Sequence, residues 1–277
     1  MRTIAGILPV CAAAVFAAGC SKDSGPFVAP TVPLAYTRFV NVVPDTSSMD
    51  YRFVDVIENS PITLNLGYRG LTPYQGTGVG ARHIRVFPTS TTLGVTTQIV
   101  LDTTITFEAN TYYTIVHVGY ARAGSSPKQQ FVVIKDNAQT AAGSVALRAI
   151  NFGLGLGAVD IFASPTGGTS PLPAAPTFTS VGFGTVTQYT NVAAGTLSLR
   201  ATPSGARTTV IADNVAPPGA PADPTPAVNL QAIGGSTQNG SAIAAILTPR
   251  SVAGSAAPQA AAFQAPAFVY LIDKHPR

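Results

Sequence analysis

The chain has no tryptophan, two cysteines and three histidines in 277 residues, and charged residues make up only 10% of it. Each scarcity removes a class of explanation. Cys11 and Cys20 both lie near the N-terminus, so no disulfide is expected to staple the body of the chain. Its core must come from buried apolar surface, for which the length is ample. His83, His117 and His275 stand in three separate segments, none at ligand spacing from another His or a Cys, so nothing signals a zinc site. His117 sits in an apolar run and is expected to be a packed core histidine. G-x-S-x-G, H-E-x-x-H and phosphate-loop motifs are missing too. Gly76 to Gly80 and Gly153 to Gly157 are glycine-dense, but each leads towards a strand and not towards the helix N-terminus that would hold a phosphate. The closest acidic groupings, Asp45 with Asp50 and Asp55 with Glu58, follow no calcium-loop pattern. The expectation is a non-enzymatic protein without a cofactor. The net charge of +4 is spread out, with no basic cluster denser than Arg82, His83 and Arg85, so no nucleic-acid partner is expected.

Long apolar runs are missing as well. The apolar stretch from Ile4 to Phe16 follows the basic Arg2 and contains Pro9, which suits an export signal; it is shorter than the roughly 20 residues of a spanning helix. Ala17-Ala18-Gly19-Cys20 resembles the lipobox of bacterial lipoproteins. That resemblance implies removal of residues 1–19, lipidation of Cys20 and a membrane partner reached through the lipid. Ser21 after the cysteine implies sorting to the outer membrane, facing the periplasm or the exterior. Residues 20–35, with Gly25, Pro26, Pro30 and Pro33, read as a tether.

What remains is short segments rich in β-branched and aromatic residues, bounded by Gly, Pro, Asn or Ser. Examples are Tyr36 to Val43, Tyr112 to Val118, Val145 to Phe152 and Phe268 to Asp273. No mature segment carries a sustained 3.6-residue apolar period, so the chain reads as all-β. It also repeats itself. Gly67, Tyr74, Gly80, Arg85, Pro88, Ile115 and Gly119 precede Gly182, Tyr189, Gly195, Arg200, Pro203, Leu230 and Gly234 by 115 residues. Arg38 and Asn41 precede Arg148 and Asn151 by 110, and Val54-Asp55-Val56 precedes Val159-Asp160-Ile161 by 105. Phe131 to Asp136 recurs as Phe268 to Asp273. The expected organisation is one module over 36–138 and a second over 144–277, the latter enlarged by an Ala/Gly/Pro-rich loop at 234–267.

These repeated elements resemble the bacterial DUF4397 domain, a family of unknown function. The first copy carries Arg38 to Asp45, Val54-Asp55-Val56, Gly67-Tyr68 and Arg85-Val86-Phe87-Pro88; the second carries Arg148 to Asn151, Val159 to Phe162, Gly182-Phe183-Gly184 and Ala193 to Pro203. The resemblance implies tandem immunoglobulin-like or transthyretin-like β-sandwiches in the cell envelope. It supplies no catalytic residues, and the histidine of the family's usual His-Ala-Ser-Pro-Asp loop is replaced by Asn41 and Asn151.

Two cross-strand ion pairs are expected, Arg38 with Asp55 and Arg148 with Asp160, as structural features. The glycines at 80 and 195 are expected at positive φ. Tyr68, Tyr74, Tyr112, Tyr113 and Tyr120 cluster in the first copy, a faint binding signal in residues that otherwise suit a sandwich core. The expected role is structural or adhesive, with an envelope protein as partner. The alternative is a module binding polysaccharide or a small apolar ligand in a groove between the repeats, and a hydrolase assembled from distant strands comes last.

Overall fold

Strands whose two faces are both covered lose the apolar-polar alternation of a half-exposed strand and read as near-continuous apolar runs. Four segments here do so, and they form the centre of the molecule. In a computed structural model, residues 32–276 are described apart from 56–60, 166, 224 and 226–229. The first module comprises β1 (Leu34–Asn41), β2 (Met49–Phe53), β3 (Ile62–Leu66), β4 (Gln75–Gly78), β5 (Gly80–Pro88), β6 (Leu101–Phe107), β7 (Tyr112–Val118) and β8 (Gln130–Lys135). The second comprises β9 (Ser144–Asn151), β10 (Val159–Ser164), β11 (Phe178–Val181), β12 (Thr190–Ala193), β13 (Ser198–Pro203), β14 (Ala212–Val215), β15 (Ala242–Thr248) and β16 (Ala267–Lys274).

The two modules have one topology. The first is a sandwich of an inner sheet ordered β4-β1-β7-β8 and an outer sheet ordered β3-β2-β5-β6; the second repeats it as β12-β9-β15-β16 and β11-β10-β13-β14. Pairing is antiparallel except between β1 and β7 and between β9 and β15, which run parallel. Ala35, Phe39, Tyr113 and Ile115 point into the first sandwich, and Val145, Leu147, Ile243 and Leu247 into the second. The opposite faces of the inner strands do not meet solvent. Val40, Val42, Val116 and Ile134 pack with Ile150, Phe152, Ile246 and Leu271 into a third apolar layer between the modules. The order of layers is therefore outer, inner, inner, outer.

Two of the expected registers are not the ones formed. Asp50 and Asp160 are the true equivalents, 110 residues apart like Arg38 and Arg148. Asp50 accepts the N–H of Asn65 at 2.9 Å and Asp160 that of Ser180 at 2.7 Å. Both donors sit at positive φ, so each carboxylate holds the irregular turn of a neighbouring strand. The counterpart of β7 is β15, so Ile115 corresponds to Ala245 and not to Leu230. Arg38 lies opposite Thr114 across the β1–β7 pair, and Arg148 lies opposite Ala244 across the β9–β15 pair. The expected loop at 234–267 thus contains a fully buried central strand, and the insertion that lengthens the second module falls largely before it, between β14 and β15. Gly80 has φ of 88° as expected, whereas Gly195 is not among the glycines at positive φ.

The repeated asparagines have a common task. Asn41 donates to the Leu66 carbonyl at 2.9 Å and accepts the Val43 N–H at 3.1 Å; Asn151 donates to the Val181 carbonyl at 2.8 Å and accepts the Gly153 N–H at 2.9 Å. Each ties the end of an inner strand to the outer sheet of its own sandwich. No helix among the described residues is long and apolar enough to cross a membrane.

Candidate functional site

Arginine is expensive to bury unless its charge is matched and its donors are used. Arg38 and Arg148 are both buried, on β1 and β9, and both point into the layer between the modules. Each finds its anion in the other half of the molecule. The Arg38 guanidinium bonds to Asp273 through Nη2, to the Ile272 carbonyl at 3.0 Å through Nη1, and to Thr114 Oγ1 at 2.8 Å through Nε. Arg148 bonds reciprocally to Asp136 and also lies 3.2 Å from Asp273, while Arg38 lies 3.8 Å from Asp136. The two arginines and two aspartates form a neutral tetrad exchanged between the modules.

A tyrosine braces each carboxylate. Tyr74 donates to Asp136 at 2.6 Å and Tyr189 donates to Asp273. Arg38 lies 4.3 Å from the Tyr74 ring centre and Arg148 4.7 Å from that of Tyr189, over the ring faces. Burial pushes both phenols well above their ordinary range, so they remain hydrogen-bond donors. Burial also raises the Asp273 carboxyl, opposed by the attraction of Arg38 and Arg148. Thr114 Oγ1 accepts from Arg38 and donates to Asp136 at 2.6 Å. Its counterpart is Ala244, and Arg148 Nε accordingly has no hydrogen-bond partner among the described residues.

The expected pairs Arg38–Asp55 and Arg148–Asp160 are not formed. Asp55 accepts from Arg82 Nε at 3.1 Å, and Asp160 is taken by Ser180 and by the Gly205 N–H at 2.9 Å. The physical reason is layering. Both arginines project from inner sheets away from their own sandwich, whereas Asp160 lies on an outer-sheet strand and Asp55 just beyond the end of another. Cys20 lies outside the described residues. Their true partners, Asp136 and Asp273, were visible in the sequence as the repeated Phe-to-Asp segments, but nothing in either copy shows that the pairing crosses between them.

Beside the tetrad opens a cleft of about 970 Å³, lined by Tyr74, Tyr112, Asp136, Asn137, Gln139, Gln231, Asp273, Lys274 and His275 among others. That volume lies within the range of small-molecule sites. Tyr112 stacks on Tyr36 with ring centres 4.7 Å apart and meets Tyr74 edge to face at 5.0 Å. The remaining histidines are accounted for by structure. His117 is buried between the Tyr51 hydroxyl and Gln129 Oε1, each at 3.1 Å. Burial pulls its imidazole down to about 4, against the Gln129 bond. His83 and Arg85 share Asp102 on the surface of the outer sheet, an arrangement that contributes little when exposed. No group of three or more His, Cys, Asp or Glu side chains among the described residues could hold a metal ion.

The model of a family described as a domain of unknown function, DUF4397, matches residues 35–162. The match supports that family resemblance across the whole first module and into β10 of the second. No curated protein sequence matches the chain.

Proposed function

We propose that this chain is an exported, lipid-anchored, non-enzymatic protein of the bacterial cell envelope, built from two tandem copies of the DUF4397 domain and acting in adhesion or envelope structure through its folded body. The observation that carries this reading is the destination of the charged groups. The buried carboxylates and guanidiniums of the tetrad are matched to each other across the module boundary, where they join two sandwiches and leave no free nucleophile or base at the tetrad. Lipidation at Cys20, sorting to the outer membrane and the absence of catalysis belong to this reading, which the lipobox resemblance and the lack of catalytic motifs support. Export and a lipid tether suit a body that works at a fixed distance from a membrane.

Protease shaving of intact cells, followed with an antibody to β16 and compared with a Cys20→Ser form, tests it. The expected result is a membrane-fraction protein whose anchoring Cys20→Ser abolishes, with the β16 signal lost on shaving if the body is displayed outside and lost only after lysis if it faces the periplasm. A wild-type protein that stays in the cytosolic fraction, or anchoring unchanged in Cys20→Ser, would contradict the reading.

A further inference from the structure

The inner sheets share one topology and register, so a position where their residues differ is informative. Tyr36 lies opposite Tyr112 on the β1–β7 pair, and the equivalent positions on the β9–β15 pair are Ala146 and Ala242. Both alanines are fully buried. In the first module the position is open. Tyr112 is 42% exposed and lines the cleft. Its ring is held by Tyr36 and Tyr74, and Tyr74 is in turn fixed by Asp136. A duplicated position has become an aromatic shelf in one copy and a closed alanine pair in the other.

The rest of the cleft is rich in groups that bind hydroxyls. Asn137, Gln139 and Gln231 are among the residues that line it, and their side-chain amides have no hydrogen-bond partner among the described residues. Gln231 comes from the insertion of the second module, so the cleft needs both modules. His275 Nδ1 accepts the Gly234 N–H at 2.8 Å, which places the ring proton on Nε2 as a donor. The carboxylates at the cleft, Asp136 and Asp273, are already matched by Arg38 and Arg148, and the Lys274 ammonium lies 3.2 Å from Thr140 Oγ1.

We infer that this cleft binds an uncharged saccharide, with the open surface of Tyr112 against the C–H face of a pyranose ring and the amides on its hydroxyls. The inference rests on the reading of the chain as an envelope interaction module and gives that module a ligand class. A planar aromatic beside these amides suits the C–H face and hydroxyls of a sugar ring, and the matched carboxylates leave no free anion among the lining residues for a cationic ligand; the acidic comparison in the test below reads whether the Lys274 ammonium draws an anionic sugar instead.

Affinity electrophoresis of the full-length protein in detergent tests it, in gels containing dextran, mannan, xylan or laminarin in turn, with alginate as the acidic comparison. At least one neutral polysaccharide is expected to retard the protein, and Tyr112→Ala to weaken that retardation at least about tenfold. Gln231→Ala, at an exposed side chain that bonds nothing else among the described residues, is expected to weaken it about threefold or more without changing the fold. No retardation by any neutral polysaccharide, retardation by alginate alone that salt abolishes, or retardation that neither substitution weakens would overturn the inference. The gel reads binding wherever the protein resides, so this outcome is separate from that of the shaving experiment.

Discussion

Arg148 carries one donor without a partner among the described residues because Ala244 stands where the first module has Thr114. A hydroxyl there would accept from Nε and donate to Asp273, reproducing the wiring of Arg38. Ala244→Thr is therefore expected to raise stability by about 1 kcal/mol, the net value of a satisfied buried hydrogen bond, and Thr114→Ala to lower it by about 1–3 kcal/mol by orphaning Arg38 Nε. Urea denaturation of both variants checks the pair; destabilisation by Ala244→Thr would mean that packing at the two sites is not equivalent. His117 supplies a second prediction at this scale. Its folded pKa of about 4 lies below the ordinary histidine value, so the unfolded chain takes up a proton first as the pH falls. Its contribution is complete above about pH 6.5 and is lost towards pH 4, at up to about 1.4 kcal/mol per pH unit. In a His117→Gln variant that slope should vanish, so the stability gap between parent and variant should narrow from pH 7.5 to 4.5. A constant gap would show that His117 is not the group responsible.

The inner-sheet strands β1, β7, β9 and β15 are buried on both faces, and they explain what could be read from the sequence and what could not. The apolar runs at Tyr36 to Val43, Tyr112 to Val118 and Val145 to Phe152 were legible because β-branched and aromatic residues dominate them. Strand β15, Ala-Ile-Ala-Ala-Ile-Leu-Thr, was not, since alanine has low strand propensity and its neighbours are Ala, Gly and Ser. Its strand character comes from the buried slot between β9 and β16. The duplication was legible from spacing, and it led to the right strands for Arg38, Arg148, Asp136 and Asp273. The partners were not legible, because an arginine's sequence position does not reveal which face of a doubly buried strand it occupies. Asp273→Asn leaves two buried guanidiniums facing one carboxylate and should cost about 3–5 kcal/mol. Replacing Arg38 by Met and Asp273 by Leu together should cost much less than the sum of the single changes. Additive losses in that double-mutant cycle would mean that the two side chains do not form a pair in solution.

At the scale of the whole molecule, the differences between the modules concern how they are joined as much as how each is built. The loop between β15 and β16 reaches back to the first module, where Arg69 donates to the carbonyls of Ala262 at 2.8 Å, Pro249 at 2.7 Å and Ala265 at 2.6 Å. Val252 N–H bonds the Pro44 carbonyl at 2.8 Å. Together with the apolar layer and the exchanged tetrad, these ties make each module incomplete without the other, since separation would expose Val40, Val116, Ile150 and Ile246 and strand four buried charges. The cleft inherits this dependence, because its shelf and one of its amides come from different modules.

The most direct test of this account is urea unfolding of the full chain in detergent, followed by pulse hydrogen exchange on peptides from β2 and β5 and, separately, from β10 and β13. Coincident transitions are expected in the two outer sheets, shifted together by Asp273→Asn. Two separate transitions, with Asp273→Asn moving only the second module, would contradict it.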